Sequence, residues 1–251
     1  MKNQDLYKYV LGVADNSLIL GQRLGELCGH GPNLETDIAL TNIALDLFGQ
    51  TRSYYQYAAK LEGNGKTEDD VAMLRLERDY KNVLLVEQPN THFGHVIARQ
   101  YLFDVFHYQL MTALLNSNDE TLAAIAAKSI KEVSYHKRFS GDWLKRLGDG
   151  TEESHEKMQE AIDHYWPYTD ELFDMTESDV KMAAEGIGVD VSEFKESYYK
   201  EVSDLLEEAT LEVPANPYFK KGGKEGIHSE HMGYILTELQ YMQRTYPNMT
   251  W

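Results

Sequence analysis

Apolar residues recur along this chain at three- and four-residue spacing, the signature of helices that bury one face. From about Asp5 to Cys28, Leu6, Val10, Val13, Leu20, Leu24 and Leu27 form one stripe, which His30-Gly31-Pro32-Asn33 breaks. A second helix is predicted from about Leu34 to Leu61, stopped by Gly63-Asn64-Gly65. Thr67 and Asp70 read as a capping box with aspartate in place of glutamate, opening a third helix that ends before Pro89. A fourth is predicted over Thr91–Asn116, capped by Asn90 or Thr91, and a fifth from about Asp119 to Leu147, ended by Gly148-Asp149-Gly150. Shorter helices follow around Glu152–Tyr165, Glu177–Glu185, Ser192–Leu211 and Ser229–Arg244. Pro214-Ala215-Asn216-Pro217 and Lys220-Lys221-Gly222-Gly223-Lys224 form the one substantial loop. With no strand periodicity, internal repeat or long linker, the expectation is one all-α domain over residues 1–251. Gly21, Gly25 and Gly29 each cost about 1 kcal/mol of helix propensity relative to alanine. Their four-residue spacing therefore predicts close approach by another backbone, most simply a neighbouring helix.

The long predicted helices also carry carboxylates at telling places. A ferritin-like di-metal bundle takes a lone glutamate from each of two helices and a Glu-x-x-His pair from each of the others. Glu26, Asp46, Asp104 and Glu132 could supply the carboxylates. Asp46-Leu47-Phe48-Gly49 and Glu132-Val133-Ser134-Tyr135, however, place Gly49 and Tyr135 where imidazoles belong. The pattern is that of a metal-oxygenase scaffold with no metal centre of its own, its carboxylates sealed by charge pairing. Asp104 lies on the stripe Ile97, Tyr101, Tyr108, Met111 and Leu115, so it must be paired, hydrogen-bonded or protonated. Asp46 shares a polar seam with Asn42, Gln50 and Ser53. Arg23, Arg52, Arg99, Lys128 and His136 are the cations within reach along the sequence. Glu132 to His136 is one residue too long for Glu-x-x-His, a rotation of about 100°. Asp104-Val105-Phe106-His107 has the right spacing, on a helix expected to give a lone carboxylate. It keeps a second reading open, a di-iron or di-manganese oxygenase or oxidase with an atypical ligand set.

A formal charge of −17 argues against nucleic-acid binding, which needs a basic face. No apolar run is long enough to span a membrane. Met1-Lys2-Asn3-Gln4-Asp5 does not begin a secretory signal, and the single Cys28 allows no intrachain disulfide, so a cytoplasmic protein is expected. No Ser-His-Asp constellation, dinucleotide glycine motif or phosphate-loop sequence is present.

Sequence segments along the whole chain resemble one known family. They include Gln22-Arg23-Leu24-Gly25-Glu26, Cys28-Gly29-His30 and Leu45-Asp46-Leu47-Phe48-Gly49-Gln50. Leu84-Leu85-Val86-Glu87-Gln88-Pro89-Asn90 and Ile97-Ala98-Arg99-Gln100-Tyr101 continue the match. Lys128, Ile130-Lys131-Glu132, Tyr135-His136 and Arg138-Phe139-Ser140 follow. Gly222-Gly223-Lys224, Gly226, His228, Glu230-His231 and Trp251 complete it. The family is that of the C subunits of bacterial phenylacetyl-CoA monooxygenases, the ring 1,2-epoxidases of aerobic phenylacetate breakdown. The resemblance implies a ferritin-like, structural subunit with no cofactor of its own, paired with a catalytic A subunit that houses the di-iron centre and binds the CoA thioester. It further implies a reductase carrying flavin and iron–sulfur groups, which draws electrons from NADPH, and small additional subunits. Whether the chain self-associates when expressed alone stays open.

Coenzyme A is rich in phosphates, and Lys220, Lys221 and Lys224 around Gly222-Gly223 form a basic loop that could contact them. A solvated loop or a partner contact is the other reading. His228, Glu230 and His231 fall where the last helix begins, with Ser229 expected to cap it and no fourth metal ligand in view. His92 and His95, three apart near a helix start, read as surface or interface residues. Of the 17 tyrosines, Tyr54, Tyr55, Tyr57, Tyr198 and Tyr199 cluster, as core or interface aromatics do.

Overall fold

Caps and breakers set the long helices. The Thr36 amide donates to Asn33 Oδ1 at 2.9 Å to open α2 (Leu34–Glu62), and left-handed Gly63 (φ 68°) closes it. Asp119 opens α5 (Glu120–Gly148) by accepting from the Leu122 amide at 2.9 Å. With α1 (Lys2–Glu26) and α4 (Phe93–Leu114) these form two antiparallel pairs, α1 on α2 and α4 on α5, with α2 also meeting α5. The link from α2 to α4 is the single long crossover of a ferritin-like bundle. The computed structural model describes residues 2–215, 217–247 and 249. Asn216 of the predicted loop and Trp251 of the resemblance lie outside them.

Shorter helices clad the bundle. α3 (Glu68–Met73) lies in the crossover, α6 (Glu152–Tyr165) and α8 (Lys195–Glu208) pack on α4, α7 (Glu177–Ala184) packs on α1, and α9 (Glu230–Thr245) packs on α3. Residues 94–107 of α4 are all buried, so that helix is enclosed on every side. Among the described residues there is no strand, and no helix is long and apolar enough to cross a membrane.

Three expectations are corrected. The Thr67–Asp70 capping box forms, but α3 stops at Met73 and does not reach Pro89. Asp15, fully buried on α1, draws the chain off the helical path. It accepts from Arg75 Nη1 and Nη2 (2.9 and 2.6 Å), the Tyr55 hydroxyl (2.5 Å) and the Lys81 amide (2.8 Å). In a continuous helix residues 75 and 81 would diverge by roughly 120° and could not meet one carboxylate. At the start of α4 the cap is His92 and not Asn90 or Thr91. Asn90 is engaged elsewhere, donating to the Arg23 carbonyl (2.5 Å) and accepting from Arg99 Nη2 (2.7 Å). In the glycine stripe only Gly21 is tightly approached, and by a side chain: a Cβ there would meet Phe48 Cε1 at 2.8 Å. Gly25 and Gly29 face open space, and Gly29 (φ 85°) lies beyond the helix end.

The tyrosine clusters are mostly core: Tyr54, Tyr55 and Tyr198 are fully buried, and Tyr57 and Tyr199 pack partly buried against them.

Candidate functional site

Asp104 sits midway along the enclosed helix α4 with no exposed surface. Ser140 Oγ donates to its Oδ2 (2.8 Å) and Gln100 Nε2 to its Oδ1 (2.7 Å). Burial pushes the carboxyl up to about 7, outweighing the opposing pull of His136, Ser140 and Gln100. Beside it, His136 of α5 is fully buried and its Nε2 lies 3.0 Å from Asp46 Oδ2 on α2. One turn away Gln50 Nε2 donates to Glu132 Oε2 at 3.1 Å. At the end of α1, Arg23 Nη1 donates to Glu26 Oε2 at 2.8 Å.

Two of the expected cations thus meet carboxylates of the set, Arg23 and His136. Arg52 turns outward to Glu68 (3.2 Å), Lys128 is exposed, and buried Arg99 donates to the Gln88 carbonyl and to Asn90. The expected register is displaced. Gly49 and Glu26 are exposed, and Tyr135 keeps 40% of its surface, so these positions do not face the bundle interior. The following residues, Gln50 and His136, point inward in their place, as the 100° step between neighbours requires. Glu132 and Asp46 are half-buried.

A di-iron pair does not fit this donor set. Each carboxylate is met by N–H or O–H groups of the same chain, and Gly49 and Tyr135 bring no ligand to the interior. His107 is buried, and burial lowers its pKa to about 3, keeping it neutral. Its ring packs on Phe103 and makes no hydrogen bond to Asp104. Among the described residues, the side chains that do gather as a metal-sized threesome are His92, His95 and Glu160 at the other end of α4. Burial lowers the His95 pKa, against the opposing pull of Glu160.

The basic loop has internal partners. Lys220 Nζ donates to the Tyr168 hydroxyl (3.0 Å), Lys221 bridges Asp174 (2.7 Å) and Asp170 (3.0 Å), and Lys224 Nζ donates to the Leu172 and Asp174 carbonyls. Burial lowers the Lys224 pKa. Buried Glu171 takes the amides of Gly222 (2.8 Å) and Leu84 (2.7 Å).

Sequence reasoning missed the most enclosed polar group near this loop. Glu87 and His228 have fully buried side chains with Nδ1 and Oε1 at 2.5 Å. Ser229 is the N-cap residue of α9 as expected but makes no side-chain cap hydrogen bond; its amide and hydroxyl both donate to Glu87 Oε2, at 2.9 and 2.6 Å. The clue in the sequence was thin: a lone glutamate following the apolar run Leu84–Val86, ahead of Pro89.

The phenylacetic acid catabolic protein family matches this chain over residues 1–251. The curated C subunit of the 1,2-phenylacetyl-CoA epoxidase of Escherichia coli (strain K12) is 51% identical over 246 residues, covering 98% of this chain and 99% of that protein. On the family match and this relative together, the chain belongs to the phenylacetic acid catabolic protein family.

Proposed function

We propose that this chain is a structural, non-catalytic subunit of a multicomponent 1,2-phenylacetyl-CoA epoxidase. In that role it keeps a related di-iron catalytic subunit folded and competent. The observation that carries the reading is the state of the four carboxylates. Glu26, Asp46, Asp104 and Glu132 are each met by donors of their own chain, and the would-be ligand positions Gly49 and Tyr135 lie outside the interior. Di-iron chemistry then belongs to the catalytic partner, and flavin and iron–sulfur electron supply to a reductase. What this chain contributes is packing: metal ligands on a neighbouring bundle stay preorganised only while their supporting helices are held.

The outer face of α2 supports a permanent contact. Leu34, Ile38 and Leu45 are 69%, 51% and 60% exposed and lie within about 40° of one another around the helix. Isolated exposed leucines are ordinary, whereas an aligned apolar stripe marks a binding surface. The double variant Ile38→Asp, Leu45→Asp changes exposed side chains, so the chain should fold normally. Its co-purification with the catalytic subunit is expected to fall at least about tenfold in affinity, the equivalent of 1.4 kcal/mol. Undiminished assembly would refute this face as the interface. Failure of the unaltered chain to form any stable complex would refute the subunit reading itself.

A further inference from the structure

The start of α4 and the outward side of α6 bring three donors to one point. Glu160 Oε2 lies 3.1 Å from His92 Nε2 and 2.7 Å from His95 Nε2, and all three donor atoms fall within 4.8 Å of one another. The N-cap His92 and His95, in the first turn of α4, bring their rings edge-on at 4.4 Å. His95 is buried, whereas Glu160 keeps 58% of its side chain exposed.

The hydrogen bonds behind His95 orient its ring. The Tyr165 hydroxyl donates to the Pro89 carbonyl at 3.2 Å. Its oxygen is thereby left as an acceptor for His95 Nδ1, 3.1 Å away. Nδ1 therefore carries a proton, and Nε2 is the ring nitrogen that faces the Glu160 carboxylate. At 2.7 Å a proton on Nε2 bridges that contact, and a bound metal ion would take the proton's place. Fixing a ligating imidazole through an N–H bond on its far side is the usual outer arrangement of a metal site.

We propose that His92 Nε2, His95 Nε2 and the Glu160 carboxylate bind one divalent transition-metal ion of the zinc class. Two imidazoles and a carboxylate suit Zn²⁺, Co²⁺ or Ni²⁺ and disfavour Mg²⁺ or Ca²⁺, which take oxygen ligands. A tetrahedral ion about 2.0–2.1 Å from each donor needs donors roughly 3.3 Å apart. The carboxylate must retreat by roughly half an ångström, which its exposed position permits. Glu160, alone of the three, also lines a surface depression with His155, Gln159, Asp163 and His164. The ion pins α4 to α6. It lies about 13 Å along α4 from Asp104, well separated from the carboxylates of the bundle interior.

The test uses the purified full-length chain, stripped with a chelator and titrated with CoCl₂, followed by absorption spectroscopy and calorimetry. Uptake of about one Co²⁺ per chain is expected, with visible bands of a four-coordinate ion and displacement by ZnCl₂. Glu160→Ala alters an exposed residue and should leave the fold intact while weakening Co²⁺ at least about tenfold. His92→Ala should act alike. No uptake by the unaltered chain would overturn the proposal, as would uptake undiminished in both variants. Because Glu160 lies outside the bundle interior, metal bound among the four carboxylates would survive Glu160→Ala, and that result too would overturn it.

Discussion

Glu87→Ala is expected to destabilise the fold by about 3–5 kcal/mol, the cost of leaving one member of a buried ion pair alone. The partner left behind is charged. His228 Nε2 faces the Tyr80 carbonyl at 3.1 Å and Nδ1 faces Glu87 Oε1 at 2.5 Å. Neither partner atom can donate, so both ring nitrogens carry protons and the ring is an imidazolium. Glu87 also receives Asn82 Nδ2 (3.0 Å), the Ser229 amide and the Ser229 hydroxyl, and all of these would lose their acceptor. Burial alone would lower the His228 pKa, but the hydrogen bond to Glu87 and its charge outweigh this, and the pKa is raised above 6.5. A raised folded-state pKa gives stability that is complete below the unfolded value of 6.5 and lost as pH climbs through the folded one. Urea denaturation should therefore find the largest gap between Glu87→Ala and the unaltered chain near pH 6, and a smaller one near pH 9. A gap below about 1 kcal/mol, or one independent of pH, would contradict the buried charged pair.

Asp104→Asn is expected to act in the opposite direction. Burial raises this carboxyl from 3.8 to about 7. The native state thus keeps a proton that the unfolded chain releases. The associated stability is complete below pH 3.8 and is lost as pH rises through about 7. Three pKa units correspond to about 4 kcal/mol, as an upper bound, of ionisation cost borne above neutrality. Asparagine carries no such cost. It can accept from Ser140, and Gln100 can turn its amide so that its Oε1, otherwise without a partner among the described residues, accepts from the new NH₂. Denaturation curves should nearly coincide near pH 4, and the variant should be the more stable by a few kcal/mol near pH 8. Loss of stability in the variant at high pH would argue against a sealed, protonated Asp104.

Helix positions were legible wherever a local signal controlled them. Asn33, Asp119 and the Thr67–Asp70 box do what their side chains predict, because a cap is made within a few residues of the chain. The third helix failed because a distant residue, Asp15, claims Arg75 and the Lys81 amide, and nothing near Leu74 announces it. Burial of Asp104 could be read from its apolar stripe. The inward-facing identities on α2 and α5 could not, since a one-residue error in helix phase exchanges Gly49 for Gln50 and Tyr135 for His136. The His92–His95 pair was visible by spacing. Its carboxylate was not, because Glu160 belongs to a helix whose register on α4 only the fold defines.

The non-catalytic role can be tested most directly by loading the purified chain with isotopically enriched iron under anaerobic conditions, oxidising it, and recording its Mössbauer spectrum. A chain whose interior carboxylates are sealed by their own donors is expected to hold no coupled iron pair, and any iron it takes up should be mononuclear and lost in Glu160→Ala. A stoichiometric coupled pair, retained in Glu160→Ala and lost in Asp104→Asn, would contradict it.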